Sequence, residues 1–299
     1  MLCSKCNKNA VTFIRYSGMH LCKFHFNEFF ERRVKKTLRK QNVEGKIAVG
    51  VSGGKDSSVA LYILKKIFGK RKDITIEAVT VDEGINGYRD KGIRIVKKNC
   101  KKWDIPHYII SFKEQIGCSM DEISKKFMCS YCGVFRRYLL NLKAKEIKAD
   151  RVATGHNLDD TAQSILMNIA KGNVEKLARL GPHVNIQKGL IPRIEPLRNI
   201  PEKENYLYAL LNNIEFYSGE CPYAYTAQRN MYRKILYELE NNSPGTRHAV
   251  LKSYDSIADL LKKKFPPAKL KKCKICNEPT SQMICKTCKL KKELIKLYG

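Results

Sequence analysis

Val51-Ser52-Gly53-Gly54-Lys55-Asp56-Ser57 separates two stretches of different apolar period. Residues 46–50 before it form a short apolar run of the kind that makes a buried strand, and residues 58–68 after it carry helical spacing. The unit reads as strand, glycine turn and helix. Glycine lets backbone N–H groups approach an anion closely, and a helix start adds unsatisfied N–H groups and the positive end of a dipole. The expected guest is phosphate. The commoner phosphate loop, G-x-x-x-x-G-K-[ST], fails twice here: Gly50 stands one residue too close to Gly54-Lys55, and Asp56 replaces the Ser or Thr that would hold magnesium.

Working outward, strands are expected at residues 74–81, 107–110 and 151–154, alternating with helices at 88–103, 134–147 and 159–170. Helices at 201–211 and 229–240, with a last strand at 215–217, complete the pattern, and residues 247–264 close the catalytic domain. Such alternation implies an α/β fold built on a doubly wound parallel sheet. Ligands collect at the C-terminal ends of such strands, so residues 52–57, 82–85, 112–132 and 155–160 should converge. In Gly155-His156-Asn157-Leu158-Asp159-Asp160, the histidine and paired aspartates could hold magnesium, orient phosphates or move protons. Capping of the following helix by Asn157 or Asp159 is compatible with any of these.

The chain has 57 Lys and Arg against 29 Asp and Glu, a net charge of +28 spread along its length. A field of that sign favours a polyanion, RNA or DNA. No long apolar span, secretory signal or transit segment is present, and no basic amphipathic helix with bulky anchors stands out, so a cytoplasmic protein without a membrane partner is expected. Eight of the 12 cysteines fall in C-x-x-C pairs, which favours metal sites over disulfides.

Cys3-x2-Cys6 and, fifteen residues on, Cys22-x2-His25 make a four-ligand set suited to tetrahedral zinc, with His20 an alternative to His25. A module this small needs the metal for stability. Cys273-x2-Cys276-x8-Cys285-x2-Cys288 is the strongest metal signal in the chain, and the lysines around it suit an RNA-facing ribbon. The expected domains are a zinc finger at residues 1–26, a catalytic domain at 27–265 entered through a basic helix at 27–42, and a zinc ribbon at 266–299. Phe26, Phe29, Phe30, Val34 and Leu38 recur at helical spacing along the basic helix, an apolar stripe for packing. The glycine-rich loops of residues 171–199 read as a lid, an RNA-facing surface or plain connections. Met128-Cys129-Ser130-Tyr131-Cys132-Gly133, just before a predicted helix, is an incomplete metal set, and Cys221 is the obvious third thiolate. Three thiolates suit a [4Fe–4S] cluster with one open iron. A persulfide on Cys129 or Cys132, resolved by Cys221, is the alternative.

The six residues from Ser52 to Ser57 resemble the pyrophosphate loop of the PP-loop ATPases, which cut ATP between its α- and β-phosphates and adenylate a carbonyl oxygen. With C-x-x-C-G, GHNLDD, Gly219-Glu220-Cys221-Pro222 and the two terminal metal sets in the same order, nearly the whole chain resembles the TtuA/NcsA branch of tRNA 2-thiouridine synthetases. That resemblance implies a tRNA uridine 2-thiolase using ATP, Mg²⁺, two Zn²⁺ and a [4Fe–4S] cluster on Cys129, Cys132 and Cys221. It implies ATP contacts from Val51 to Ser57 and from Gly155, His156 and Asp160, adenosine contacts at Val81 and Asp82, and catalytic roles for Lys55 and Asp160. Arg136 stands where the family often has lysine; arginine does not readily shed a proton, so charge stabilisation is the role left to it. A homodimer, and sulfur from sulfide or from a thiocarboxylated ubiquitin-like protein, are implied as well. The rival readings are a cytidine-modifying PP-loop enzyme and a zinc-stabilised RNA-binding protein without activity.

Overall fold

The computed structural model describes residues 1–123, 128–184, 187, 189–224 and 229–298. Strands β1 (Thr12–Ile14) and β2 (Met19–Leu21) pair as an antiparallel hairpin, and α1 (Lys23–Arg39) starts directly after Cys22. The helix begins four residues before the predicted position 27, which brings His25 into its first turn. Its predicted stripe of Phe26, Phe29, Phe30, Val34 and Leu38 is buried. Phe30 stacks on Tyr208 with ring centroids 4.0 Å apart.

The sequence then alternates as expected: β3 (Gly45–Gly50), α2 (Lys55–Phe68), β4 (Ile74–Asp82), α3 (Arg89–Trp103) and β5 (His107–Ser111). The short α4 (Phe112–Ile116) and the long α5 (Met128–Glu146) follow, then β6 (Arg151–Ala153), α6 (Leu158–Ala170), α7 (Val174–Ala178) and β7 (Arg193–Ile194). Helices α8 (Glu202–Leu211), α9 (Arg229–Asn242) and α10 (Thr246–Lys264) precede the C-terminal ribbon of β8 (Lys271–Lys272), β9 (Pro279–Thr280) and α11 (Lys286–Tyr298). The central sheet has the order β5-β4-β3-β6-β7, with all pairs parallel. Both faces are covered, as a parallel sheet requires. Ile47, Val49, Ile76 and Ala78 face the core shared with α1, α2 and α8, and Ala48, Val79, Val81 and Val152 face the core shared with α5.

Three sequence expectations need correction. Residues 215–217 form no strand; the fifth strand is β7. The Tyr217 N–H donates instead to Gly53 O at 2.8 Å, so this segment crosses the glycine loop rather than joining the sheet. The cysteine pair does not precede its helix, because α5 starts at Met128 and carries both Cys129 and Cys132 in its first turns. Helix α2 starts at Lys55, making that lysine its first residue. Part of the 112–132 stretch expected to converge, residues 124–127, lies outside the described residues, as do 185, 186 and 188 of the 171–199 loops.

Neither terminal module is a separate bead. Cys3, Ile14, Leu21 and Cys22 belong to the same apolar core as α1 and α2. At the other end Leu290 and Leu294 of α11 pack into the core of α5, and Tyr131 donates to Glu293 Oε2 at 2.7 Å. Among the described residues no helix is long and apolar enough to cross a membrane.

Candidate active site

From β3 the chain winds outward to β4 and β5, then returns to the other side of β3 as β6. The crevice between the ends of β3 and β6 is therefore the switch point at which such sheets bind ligands. A cleft of about 340 Å³ opens there.

The glycine loop forms its floor. Gly53 has φ +83°, and a Cβ at that position would lie 2.4 Å from Gly92 O; reciprocally, a Cβ on Gly92 would lie 2.6 Å from Ser52 O. Loop and α3 thus touch backbone to backbone. Gly53→Ala is expected to destabilise the fold by about 1–3 kcal/mol and to weaken ATP binding, read by thermal melting with and without ATP. Gly54 is the N-cap of α2 and supplies no side-chain cap, which leaves the first-turn N–H groups to a ligand. Ser57 Oγ braces the turn, accepting from Ser52 N at 3.1 Å and donating to Gly54 O at 3.0 Å. Across the crevice Gly155 presses on the same helix start, and a Cβ there would lie 2.8 Å from Ser57 N.

Lys55 Nζ bridges Asp56 Oδ2 at 2.9 Å and Glu202 Oε1 at 2.7 Å. Burial works to lower the pKa of this ammonium, but the two carboxylates outweigh it and raise it overall. Asp56 also accepts from Asn205 Nδ2 at 3.0 Å, and burial raises its carboxyl above the usual range. Glu202 is shared with Arg233 of α9, 3.0 Å away. Asp160 forms a capping box with Asn157: Asn157 N donates to Asp160 Oδ2 at 3.2 Å, and Asp160 N donates to Asn157 Oδ1 at 3.0 Å. Neighbouring Asp159 is held by Arg247 at 2.9 Å. Asp82 Oδ1 accepts from Gly84 N at 2.9 Å, so its side chain serves the turn while Val81 lines the cleft. His156 Nδ1 lies 2.9 Å from Thr154 Oγ1 at the rim.

Gly133, Arg136, Arg137 and Leu140 of α5 build the opposite wall, and Cys129 and Cys132, three residues apart and so on one face of that helix, precede them in its first turns without lining the cleft themselves. The Cys129 thiol reaches Tyr223 O at 3.5 Å, two residues beyond Cys221. Cys132 and Cys221 pack against the same apolar cluster. Burial pushes the Cys132 thiol up to about 12, only partly opposed by Arg136. A bare thiol there keeps its proton; a cationic metal centre is what would displace it. Three cysteine thiols without a carboxylate or imidazole among them are the soft donor set that an iron–sulfur cluster takes.

Arg136, which lines the cleft, is 3.0 Å from Glu83 Oε1. Glu83, 1% exposed, also pairs with Arg89, and Arg89 Nη1 donates to Ser52 O at 2.9 Å. One buried carboxylate therefore ties the phosphate loop to the helix of the cysteine pair. Glu83 raises the pKa of the Arg136 guanidinium still further, so it acts as a fixed charge.

Two other groups of four donors close to within 4.8 Å: Cys3, Cys6, Cys22 and His25, and Cys273, Cys276, Cys285 and Cys288. His25 Nδ1 is 3.4 Å from both Cys3 and Cys22 sulfurs. The alternative His20 stacks on Phe13 instead, with centroids 4.4 Å apart. In the ribbon, the N–H groups of Ile275 and Cys285 donate to Cys273 Sγ at 3.5 and 3.2 Å. Burial raises the Cys273 thiol, yet these donors prevail and bring it to about 6, a thiolate ready for metal.

Of the residues expected at the site, Val51, Ser52, Asp56, Ser57, Val81, Arg136, Gly155 and His156 line the cleft together. Lys55, Asp82 and Asp160 adjoin it through their own partners. Sequence reasoning missed Arg89, Arg137, Arg193 and Glu202. None had a motif; Glu83 was legible only as part of a converging segment.

A model of the PP-loop domain matches residues 26–240, and one of the N-terminal LIM domain of the 2-thiouridine synthetase TtuA matches residues 2–27. The tRNA 2-thiolation protein NcsA of Haloferax volcanii is 37% identical, over 97% of this chain and 98% of its own. The chain belongs to the PP-loop tRNA 2-thiolation family. Within it, the tRNA-5-methyluridine(54) 2-sulfurtransferase of Pyrococcus horikoshii is 38% identical, over 98% of this chain and 96% of its own. The solved structure of the U34-tRNA thiolase NcsA from Methanococcus maripaludis, with its [4Fe-4S] cluster, superposes with a TM-score of 0.87 at 37% identity, covering 98% of this chain and 96% of that one. The family thus includes enzymes named for two different uridines.

Proposed function

We propose that this chain is a cytoplasmic tRNA uridine 2-sulfurtransferase that adenylates the C2 oxygen of a uridine and exchanges it for sulfur, releasing AMP and pyrophosphate. The observation that carries the reading is the single cleft in which the phosphate loop faces the cysteine helix across the Arg89–Glu83–Arg136 bridge.

In this reading the loop N–H groups of residues 52–57 and Lys55 hold the ATP phosphates and meet the charge that develops on them, catalysis by positioning and electrostatics. Mg²⁺ travels with the ATP, with Asp56 and Asp160 the carboxylates beside the loop. Val81 and the backbone at Asp82 receive the adenosine. The target base leaves its stack to enter the cleft, since C2 is inaccessible in a paired helix. The fixed charge of Arg136 stabilises the adenylated base and orients it toward the cysteines. Cys129, Cys132 and Cys221 would hold a [4Fe–4S] cluster, which when bound supplies activated sulfur without net redox change. The terminal four-donor groups hold zinc: the first braces the core of α1, and the second braces α5 from the far side. Ile169, Ile257 and Leu260, all exposed apolar residues on α6 and α10, offer a face for homodimerisation.

The test is anaerobic reconstitution with iron and sulfide, followed by reaction with ATP, sulfide and bulk tRNA. The expected result is one thiolated uridine and one AMP per turnover, with the position mapped by mass spectrometry of nuclease fragments. A thiocarboxylated ubiquitin-like donor in place of sulfide defines the physiological source. Thiocytidine as product would overturn the substrate assignment, and tRNA binding without AMP release would overturn the enzymatic one.

A further inference from the structure

Two arginines of the cleft have no part in the chemistry above. Arg137 stands on α5 and Arg193 opens the edge strand β7, and both line the cleft. A Cβ on Gly133 would lie 3.7 Å from Arg137 Nη1, so this side chain folds back over a bare turn of the helix. Arg193 Nη2 donates to Asn141 Oδ1 at 3.1 Å, a neutral partner. Among the described residues no carboxylate lies within ion-pair distance of either guanidinium, whereas Arg89 and Arg136 share Glu83. Partial desolvation in the cleft wall and then neighbouring cations depress both, Arg136 and Arg229 acting on Arg137 and Arg137 on Arg193, with a smaller opposing pull from Glu195 on Arg193. The fold therefore holds two like charges together without an ion-paired carboxylate; Glu195 offsets part of the Arg193 charge from beyond ion-pair distance.

We propose that Arg137 and Arg193 form a subsite for a phosphodiester of the RNA strand, beside the nucleotide whose base enters the cleft. This rests on the RNA-thiolating reading and adds where the strand is gripped. Two planar forks suit the oxygens of a phosphodiester, which both can engage in pairs. The nucleotide cofactor has its own cradle at the end of β3. Arg193 belongs to β7, two strands away and so about 10 Å across the sheet. Arg137 is exposed and Arg193 half-buried, which sets the pair at the mouth of the cleft, where a polymer can pass. A base drawn inward carries its flanking phosphate to that mouth. Such a contact fixes register and orientation, not base identity.

The experiment compares the full-length wild type with Arg137→Gln, Arg193→Gln and the double variant, using unmodified tRNA transcript from 50 to 300 mM KCl and, separately, ATP alone. Arg32→Gln, an exposed arginine of α1, is the control for general basic surface. Each single cleft substitution is expected to weaken tRNA binding by roughly tenfold, and the double variant to lower the slope of log K against log salt by about 0.7–0.9, the loss of one phosphate contact. ATP affinity should stay within about twofold, and Arg32→Gln should change neither slope nor affinity by as much. A loss of ATP affinity equal to the loss of tRNA affinity would assign the pair to the nucleotide phosphates and overturn the proposal. Unchanged tRNA affinity and slope in the double variant would overturn it as well. A wild type that binds no tRNA would instead sink the RNA reading on which it stands.

Discussion

Cys221→Ala is expected to lower tRNA thiolation on the order of a thousandfold while both terminal metal sites stay filled and ATP still binds. The reason lies in how the three thiols are assembled. Cys129 and Cys132 are held by α5, whose Phe135 and Leu139 are fully buried. Cys221 arrives from a different part of the chain, on a segment anchored before it by the Tyr217 N–H bond to Gly53 O and after it by the contact of Tyr223 O with Cys129. Removing one sulfur leaves two donors, which cannot hold a cluster meant to rest on three. The terminal donor groups share no residue with this set, so their metal should be unaffected. Metal analysis should show iron lost and zinc retained, with the melting temperature within a few degrees of wild type. Cys221→Ser gives a second reading with almost no change of volume. Full thiolation in either folded variant would remove Cys221 from the proposed ligand set. Zinc lost together with iron would mark a folding defect, and Cys132→Ala then becomes the variant of choice.

The sheet was legible because each half of its pattern has enough length to show a period. β3, β4 and α2 are buried runs whose periods differ, and the glycine loop marks the boundary between them. β7 was not legible: two residues, Arg193 and Ile194, cannot display an alternation. Residues 215–217 have the composition of a strand, but the Tyr217 N–H is spent on the glycine loop. Gly133 misled in the opposite direction, since glycine next to a C-x-x-C pair reads as a helix boundary, whereas α5 runs straight through it. The site divides the same way. The residues proposed to contact phosphate or bind metal carry motifs because their spacing is the chemistry. Arg89, Arg137 and Arg193 are three among 57 cations in a chain of charge +28, and only the fold distinguishes a cleft arginine from a solvated one. Of the two expected caps Asn157 is the one used, its capping box closed by Asp160 rather than Asp159, and the Asp160 carboxylate lies close enough to Asp56 for its charge to help raise that carboxyl, after burial.

Lys55→Ala should reduce AMP formation by about 10²–10³, with a smaller loss in tRNA affinity. The lysine is the first residue of α2, so its ammonium adds to the positive helix end where the phosphates are expected. In the structure it is held by Asp56 and Glu202, and Glu202 in turn has Arg233 as a second partner. Phosphate binding then requires an exchange: Lys55 turns to the pyrophosphate, and Glu202 keeps Arg233. The substitution removes two things at once, the charge on the phosphates and the counter-ion of two partly buried carboxylates, and these must be separated. Glu202→Gln does so. If the defect of Lys55→Ala came only from stranded carboxylates, the double variant Lys55→Ala with Glu202→Gln would regain most of the activity. The expected result is that it stays as inactive as Lys55→Ala, whereas Glu202→Gln alone binds ATP somewhat more tightly because it no longer competes for the ammonium. Lys55→Arg should not rescue, since a broad fork cannot replace a compact point charge in this turn. The measurement is single-turnover AMP release at saturating ATP and tRNA. Wild-type rates in Lys55→Ala would exclude the lysine from the phosphate site, and recovery in the double variant would reassign it to holding α8 in place.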